Sequence, residues 1–342
     1  MILILEGSEL NFMWESIQKR QLIFHPYIAP EGRFDFDKFF LIRKKKILIV
    51  DRNILSSLLK LCGEGKLQNL EEMKSIGLMM IWAFINDFSI TAGEALQEYA
   101  TRIASQDKAN EELNAFFKVF DYYSPQIWLE VAYGKRTEIP ILSDPQEINV
   151  KTDFTNGSNH YYIILPTMIH IIILLRNKRL SPVDKFIELY DWILDNSLIC
   201  EYVITYAAML FTNQKYIKAP KYANSNDIDK VLSGCKNQSW DIAYLSEWSV
   251  FYTNTSDYPE EFFFTTSDIM LKRIFINTHA PTGVNGLLFE VYSKKDYQKI
   301  MNHLQKKMTT RRKPVFGDKP DNYFKTLTNR EIDYLKKTIE GM

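Results

Sequence analysis

Cysteine is scarce in this chain: three in 342 residues, Cys62, Cys200 and Cys235, with no C-x-x-C pair. That excludes a disulfide scaffold and a thiolate zinc site, and it fits a reducing cytoplasm. Histidine is nearly as thin, five residues with no H-x-x-x-H spacing, so an imidazole metal site has no framework either. No G-x-x-x-x-G-K-S/T and no G-x-G-x-x-G occurs, which leaves nucleoside-triphosphate and dinucleotide chemistry without support. Net charge is zero, from 42 basic and 42 acidic residues, so any attraction for a polyanion must come from how the charges are distributed. The most apolar segment, Tyr161 to Leu175, is too short for a membrane span and contains Pro166 and His170. It is expected to be a buried core helix with His170 a satisfied core histidine, and no membrane partner is expected. The opening MILILEG has no basic leader and is too short for a signal peptide. No internal repeat, heptad run or low-complexity tract is present.

What is present is an ordinary globular composition, 25% charged and 14% aromatic, long enough for two domains or for one with additions. Its most informative stretch is KKKILIVDRNILSSLLKL, residues 44–61. Ile47 to Val50 is an unbroken apolar run, which reads as a strand buried on both faces of a parallel sheet. It runs directly into Asp51, and a helical pattern follows over Ile54 to Leu61. A carboxylate there stands at the carboxyl end of a strand, where open α/β sheets place their ligand sites.

Other acids recur in similar settings. FFFTTSD (262–268) repeats the grammar of strand, carboxylate and helix, ending in Thr266, Ser267 and Asp268. DFSITAGEALQEYA places a short strand, Phe88 to Ile90, before a helix carrying Glu94 and Glu98, which are four apart and share a face. NQSWDIAYLSEW reads as a helix start, with Ser239 as N-cap and Asp241 in the first turn.

This ordered set resembles the PIN-domain nucleases. That family carries an Asp after the first strand, often as D-x-N, then a Glu on the helix after the second. An Asp opening a later helix and an Asp after a fourth strand, often preceded by Thr, complete the set. Asp51 with Asn53, then Glu98, Asp241, and Asp268 with Thr266 match those elements over residues 46–104 and 236–291. The resemblance implies an α/β fold, PIN-like and three-layered, with a mostly parallel central sheet and helices on both faces. Ile47 to Val50 would be a central strand, flanked by those ending near Ile90 and Thr265. It also implies catalytic roles for Asp51, Asn53, Glu98, Asp241, Thr266 and Asp268, with the four acids as metal ligands. Measured from the preceding strand, Glu98 sits nearer the family's position than Glu94. The chain departs from the family in the length between Glu98 and Asp241, which calls for a helical insertion.

The chemistry stands on its own terms. Carboxylates about 4 Å apart repel by roughly 4 kcal/mol per pair at an effective dielectric of 20, so a cluster protonates in part or admits a cation. All-oxygen donors favour Mg²⁺ or Mn²⁺, and such an ion activates water and stabilises a leaving oxygen. The expected activity is a metal-dependent endonuclease, first of all an endoribonuclease. Its expected partner is RNA, in a toxin or antiviral-defence setting that leaves room for a regulatory or co-encoded protein and a homo-oligomer. The runner-up is a haloacid-dehalogenase-like phosphohydrolase, though Asn53 stands where that family wants a second Asp. A non-catalytic PIN-like assembly module is the third reading.

The expected organisation is an appendage over 1–43, a split nuclease domain over 44–104 and 236–291, a helical insertion over 105–235, and a C-terminal helical extension over 292–342. A second helix is expected over Leu70 to Phe84, and a final strand over Leu287 to Ser293. Two basic runs, Arg43 to Lys46 and Gln305 to Lys313, are the first candidates to hold a polyanion. Asp35 and Asp37 read as solvent-facing acids on an extended stretch. Asp227 and Asp229 resemble a calcium-loop fragment but read better as a helix-capping loop. His279 follows the Asp268 helix as an outlying site candidate.

Overall fold

The structure is a computed structural model that describes residues 6–142, 149–154, 158–253, 259–310, 314–316 and 320–341. The chain forms two compact units, one of residues 1–157 with 248–268, the other of residues 158–247 with 269–342. It is mostly helical, with one four-stranded, mostly parallel sheet.

The first unit holds the sheet. It begins with α1 (Gly7–Arg20), β1 (Ile23–Phe24) and α2 (Phe36–Phe40), then β2 (Lys45–Val50), α3 (Arg52–Glu64) and α4 (Leu70–Ile85). β3 (Phe88–Thr91), α5 (Gly93–Ile103), α6 (Gln106–Tyr122) and α7 (Pro125–Tyr133) follow. The returning strand, written β4, is Glu260–Thr265. Strand order is β1-β4-β2-β3, with β2 parallel to both neighbours and β1 antiparallel to β4. The Ile47 to Val50 run is thus central, as expected: Leu48 sits across from Ile90 on one side and Phe263 on the other. Leu48 and Val50 pack in a core with Trp82, Leu55 and Phe263, and Ile49 between them is buried as well.

Local chemistry sets the boundaries of these elements. Asp51 caps α3 by accepting the Ile54 N–H at 2.7 Å, and Gly65 ends that helix at φ 75°. A Cβ on Gly65 would stand 2.9 Å from the Ile139 carbonyl, so glycine is required by both conformation and space. Asn69 caps α4 through the Glu71 and Glu72 N–H groups. Asp35, expected on an extended stretch, instead caps α2 by accepting from Lys38 N–H at 3.2 Å. A short polar side chain three residues ahead of a free N–H favours a helix start over a strand.

The second unit is helical throughout its described residues. It contains α8 (Asn159–Arg176), α9 (Pro182–Asn196), α10 (Glu201–Phe211) and most of α11 (Ile228–Thr253). It is completed by α12 (Ile269–Thr278), α13 (Gly283–Val291), α14 (Lys294–Thr310) and α15 (Pro320–Glu340). The apolar run of residues 161–175 is the buried body of α8, with Pro166 inside it. Among the described residues no helix is long and apolar enough to cross a membrane. His170 is satisfied there, bonded to Glu331 Oε2 at 2.9 Å and stacked on Trp192. Asp227 caps the turn before α11, accepting from the Asp229 and Lys230 N–H groups.

Two expectations about elements are overturned. The expected strand Leu287 to Ser293 lies mostly in helix α13. Its short apolar run carries no period that separates strand from helix, and within α13 it buries Leu287 and Leu288. Asp241 does not open a helix but sits within the 26-residue α11. The expected cap, Ser239, turns its hydroxyl back to the Cys235 carbonyl at 2.8 Å, the i−4 bond that lets serine sit inside a helix. Helices α6 and α7 are part of the first unit, where Glu112 of α6 pairs with Arg52 and Gly77 of α4 lets Val131 of α7 approach closely.

Candidate acidic site

Three carboxylates follow three adjacent parallel strands. Asp51 comes directly after β2, Asp268 three residues after the end of β4, and Glu98 two turns along the helix after β3. The ladder carries the alignment past the last paired residues: Asp51 N–H donates to the Thr265 carbonyl and Thr266 N–H to the Leu22 carbonyl, each at 3.2 Å.

Asp51 is the buried centre, 2% exposed. Its Oδ1 accepts the Ile54 N–H, and its Oδ2 accepts the Thr266 hydroxyl. The same Thr266 oxygen accepts the Asp268 N–H at 3.0 Å, so one threonine orients both acids. Burial pushes the Asp51 carboxyl up to about 7. The hydrogen bonds from Thr266 and Ile54 pull against that rise, while the negative charges of Asp268 and Glu98 add to it. Glu98 is buried at 7% exposure, and Asp268 is half-buried. Glu94 stands half-buried in the first turn of α5.

Asn53 and Ser267 are exposed and line a polar cavity of about 520 Å³ with Arg20, Ser57, Asn69 and Glu72. Ser57 and Asn69 of this wall gave no sequence signal. Only their clustering at two helix starts, after Asp51 and at Asn69, could have pointed to them. Arg52 was also missed, although it adjoins Asp51. It makes a two-pronged pair with Glu112, the second contact at 2.9 Å, and its guanidinium lies 4.1 Å over the Tyr99 ring.

The remaining candidates belong to other elements. Asp241 belongs to the second unit, where its Oδ2 accepts from Gln238 Nε2 at 3.2 Å. His279, also in that unit, bonds Tyr202 at 2.8 Å. Lys45 and Lys46 of the first basic run open β2, so they stand at the opposite end of the strand from Asp51, roughly 16 Å along it. In the second run Lys307 pairs with Asp195 at 2.8 Å, and Arg311 to Lys313 lie outside the described residues.

As donors, these acids suit a hard divalent cation: carboxylate oxygens only, one of them desolvated and under two like charges. Among the described residues no three His, Cys, Asp or Glu side chains are gathered into a ready-made cation shell. A bound ion would therefore have to draw Glu98 and Asp268 toward Asp51, which Thr266 already fixes. Set against family models, curated proteins and solved structures, the chain matches none.

Proposed function

We propose that this protein is a metal-dependent endonuclease of the PIN-like kind, with RNA its first substrate. The observation that carries the reading is Asp51: a buried carboxyl raised to about 7, at the carboxyl end of the central strand and under the charges of Asp268 and Glu98. Asp51, Glu98 and Asp268 would hold Mg²⁺ or Mn²⁺. Once bound, such an ion supplies water activation and neutralises charge on a phosphodiester.

The chain's own residues do the rest. Thr266 and the Ile54 N–H fix the Asp51 rotamer, so its oxygens need no reorganisation. Asp268, half-buried and held by its backbone N–H, has a carboxylate within reach of solvent, suited to accept the proton of an attacking water. Asn53 and Ser267 present neutral donors at the mouth of the adjoining cavity, where a phosphate or ribose oxygen can be oriented without adding charge. Asn53 in place of a second acid also counts against the phosphohydrolase reading.

The test compares wild type with Asp51→Asn on labelled single-stranded RNA, single-stranded DNA and p-nitrophenyl phosphate. Each is run with Mn²⁺ and with EDTA. Cleavage of RNA that EDTA abolishes and Asp51→Asn lacks is the expected result. Cleavage by both proteins alike, or turnover of the small ester alone, would overturn the reading.

A further inference from the structure

Of the two basic runs singled out in the sequence, one opens β2 at the far end of the strand from Asp51, and the other belongs to the second unit. Arg52, next to Asp51, is committed to Glu112 and Tyr99. The first unit carries a further surface with the means to hold a polyanion.

Helix α1 and the segment leading into α2 enclose an open groove of about 860 Å³. Its floor is aromatic: Trp14 and Phe36 stack with ring centroids 5.0 Å apart, and Phe34 lies 6.0 Å from Phe36. Its rim holds Lys19 and Arg33, both exposed, against one exposed acid, Glu15. Neither cation pairs with a carboxylate among the described residues. Gln18 fixes the wall by bonding both the N–H and the carbonyl of Phe34, at 3.0 and 3.2 Å.

We propose that this groove binds unstacked single-stranded nucleic acid, with a base against the Trp14–Phe36 pair and phosphates at Lys19 and Arg33. The choice of nucleic acid as ligand rests on the nuclease reading above. Aromatic rings beside cations form the sequence-tolerant way of holding a single strand: every base has a π-face, and every linkage has a charge. The volume falls within the range of small-ligand sites, roughly 300–1,000 Å³, which suits a base with its flanking phosphate. A proline-rich peptide also uses aromatic grooves, but it makes no use of two rim cations. Helix α1 itself reaches the polar cavity at its C-terminus. Arg20, the last residue of α1, lines the polar cavity with Asn53 and Ser267. Two residues on, the Leu22 carbonyl accepts the Thr266 N–H. A strand lying along α1 would thus be led toward the carboxylates.

The test is binding, separate from cleavage. Fluorescence anisotropy of a labelled oligoadenylate of about ten nucleotides is followed in EDTA with full-length wild type, Trp14→Leu and a Lys19→Glu/Arg33→Glu double variant. Circular dichroism confirms that each variant is folded. The expected result is that wild type binds. Trp14→Leu should bind about tenfold more weakly, and the double variant weaker still with a flatter salt dependence. The same sequence as a duplex should bind less well, because its bases are not free to stack. The double variant changes only exposed groups, so it decides the matter even where Trp14→Leu fails to fold. Unchanged affinity in the double variant, duplex binding equal to single-strand binding, or capture of a proline-rich peptide in place of the oligonucleotide would overturn the proposal. Binding lost as expected in a protein that never cleaves would overturn the nuclease reading and leave this one standing.

Discussion

Thr266 and Asp51, 215 residues apart in sequence, meet at the ends of neighbouring parallel strands: the threonine hydroxyl donates to Asp51 Oδ2 and its oxygen accepts the Asp268 N–H. That one side chain gives a buried carboxylate its orientation and ties the third acid to it.

Thr266→Val keeps the shape and removes both bonds. A buried acceptor on Asp51 and the Asp268 N–H both lose their partner, at a cost of about 1–3 kcal/mol. Urea unfolding should show that loss, and Thr266→Ser should recover most of it. Equal stability for Val and Thr would show that the bond does not organise the site.

The raised Asp51 carboxyl makes a pH prediction whose sign is fixed. Its folded value, about 7, lies above the ordinary carboxyl value of 3.8. The folded state therefore holds the proton longer. Below pH 4 both states are protonated and this group costs nothing. From pH 4 to 7 the unfolded chain ionises first and stability falls, and above 7 the loss is complete, about 4 kcal/mol at roughly 1.4 kcal/mol per unit. In EDTA, Asp51→Asn should match wild type near pH 4 and exceed it in stability at pH 8. Parallel stability–pH curves for the two proteins would contradict the desolvation argument.

The parts of this arrangement that were legible in sequence are those where one local cause dominates. The branched residues of Ile47 to Val50 favour a strand over a helix, and an acid directly after a parallel strand lies at the sheet's carboxyl edge. The same holds for Asp268, and for Glu98 two turns past a short strand. Asp241 was misread because Ser239 has two hydrogen-bonding outlets, a helix cap or the carbonyl four residues back, and composition does not choose between them. The division into units was hidden for a different reason. It depends on long-range fits such as Gly77, where a Cβ would stand 2.6 Å from Val131 Cγ1, and on the Arg52–Glu112 pair. The aromatic groove on α1 was equally hidden, since its two sides come together only after β1 turns back the chain.

Cation binding has a readout that needs no substrate. If Asp51, Glu98 and Asp268 hold the ion, Mn²⁺ or Mg²⁺ relieves the like-charge strain and stabilises the folded state. The gain is about 2.7 kcal/mol at a hundredfold excess over Kd. Thermal unfolding at pH 8 should shift upward with Mn²⁺ in wild type and stay put in Asp51→Asn. A shift of the same size in both would place the ion elsewhere on the protein.

The last prediction concerns the second unit, where α15 docks on α8 through one buried ionic cluster. Glu331 Oε2 meets His170 Nδ1 at 2.9 Å, and Oε1 accepts the Trp192 indole N–H at 3.1 Å and an Arg330 N–H at 3.2 Å. Burial alone would raise the Glu331 carboxyl, but the His170 hydrogen bond and charge, with Trp192 and Arg330, hold it below the usual 4.5. A lowered folded value means that the stabilisation is fully present above the unfolded value and is lost as pH falls through the folded one. Glu331→Gln keeps the size and one acceptor but not the charge. At pH 7 it should therefore be less stable than wild type, and Glu331→Ala less stable still, by about 3 kcal/mol for a buried pair broken on one side. The gap between Glu331→Gln and wild type should close as the pH is taken below 4, since wild type then also carries a neutral side chain there. Urea unfolding of both proteins across that range checks it, and a gap independent of pH would mean that α15 is held by packing alone.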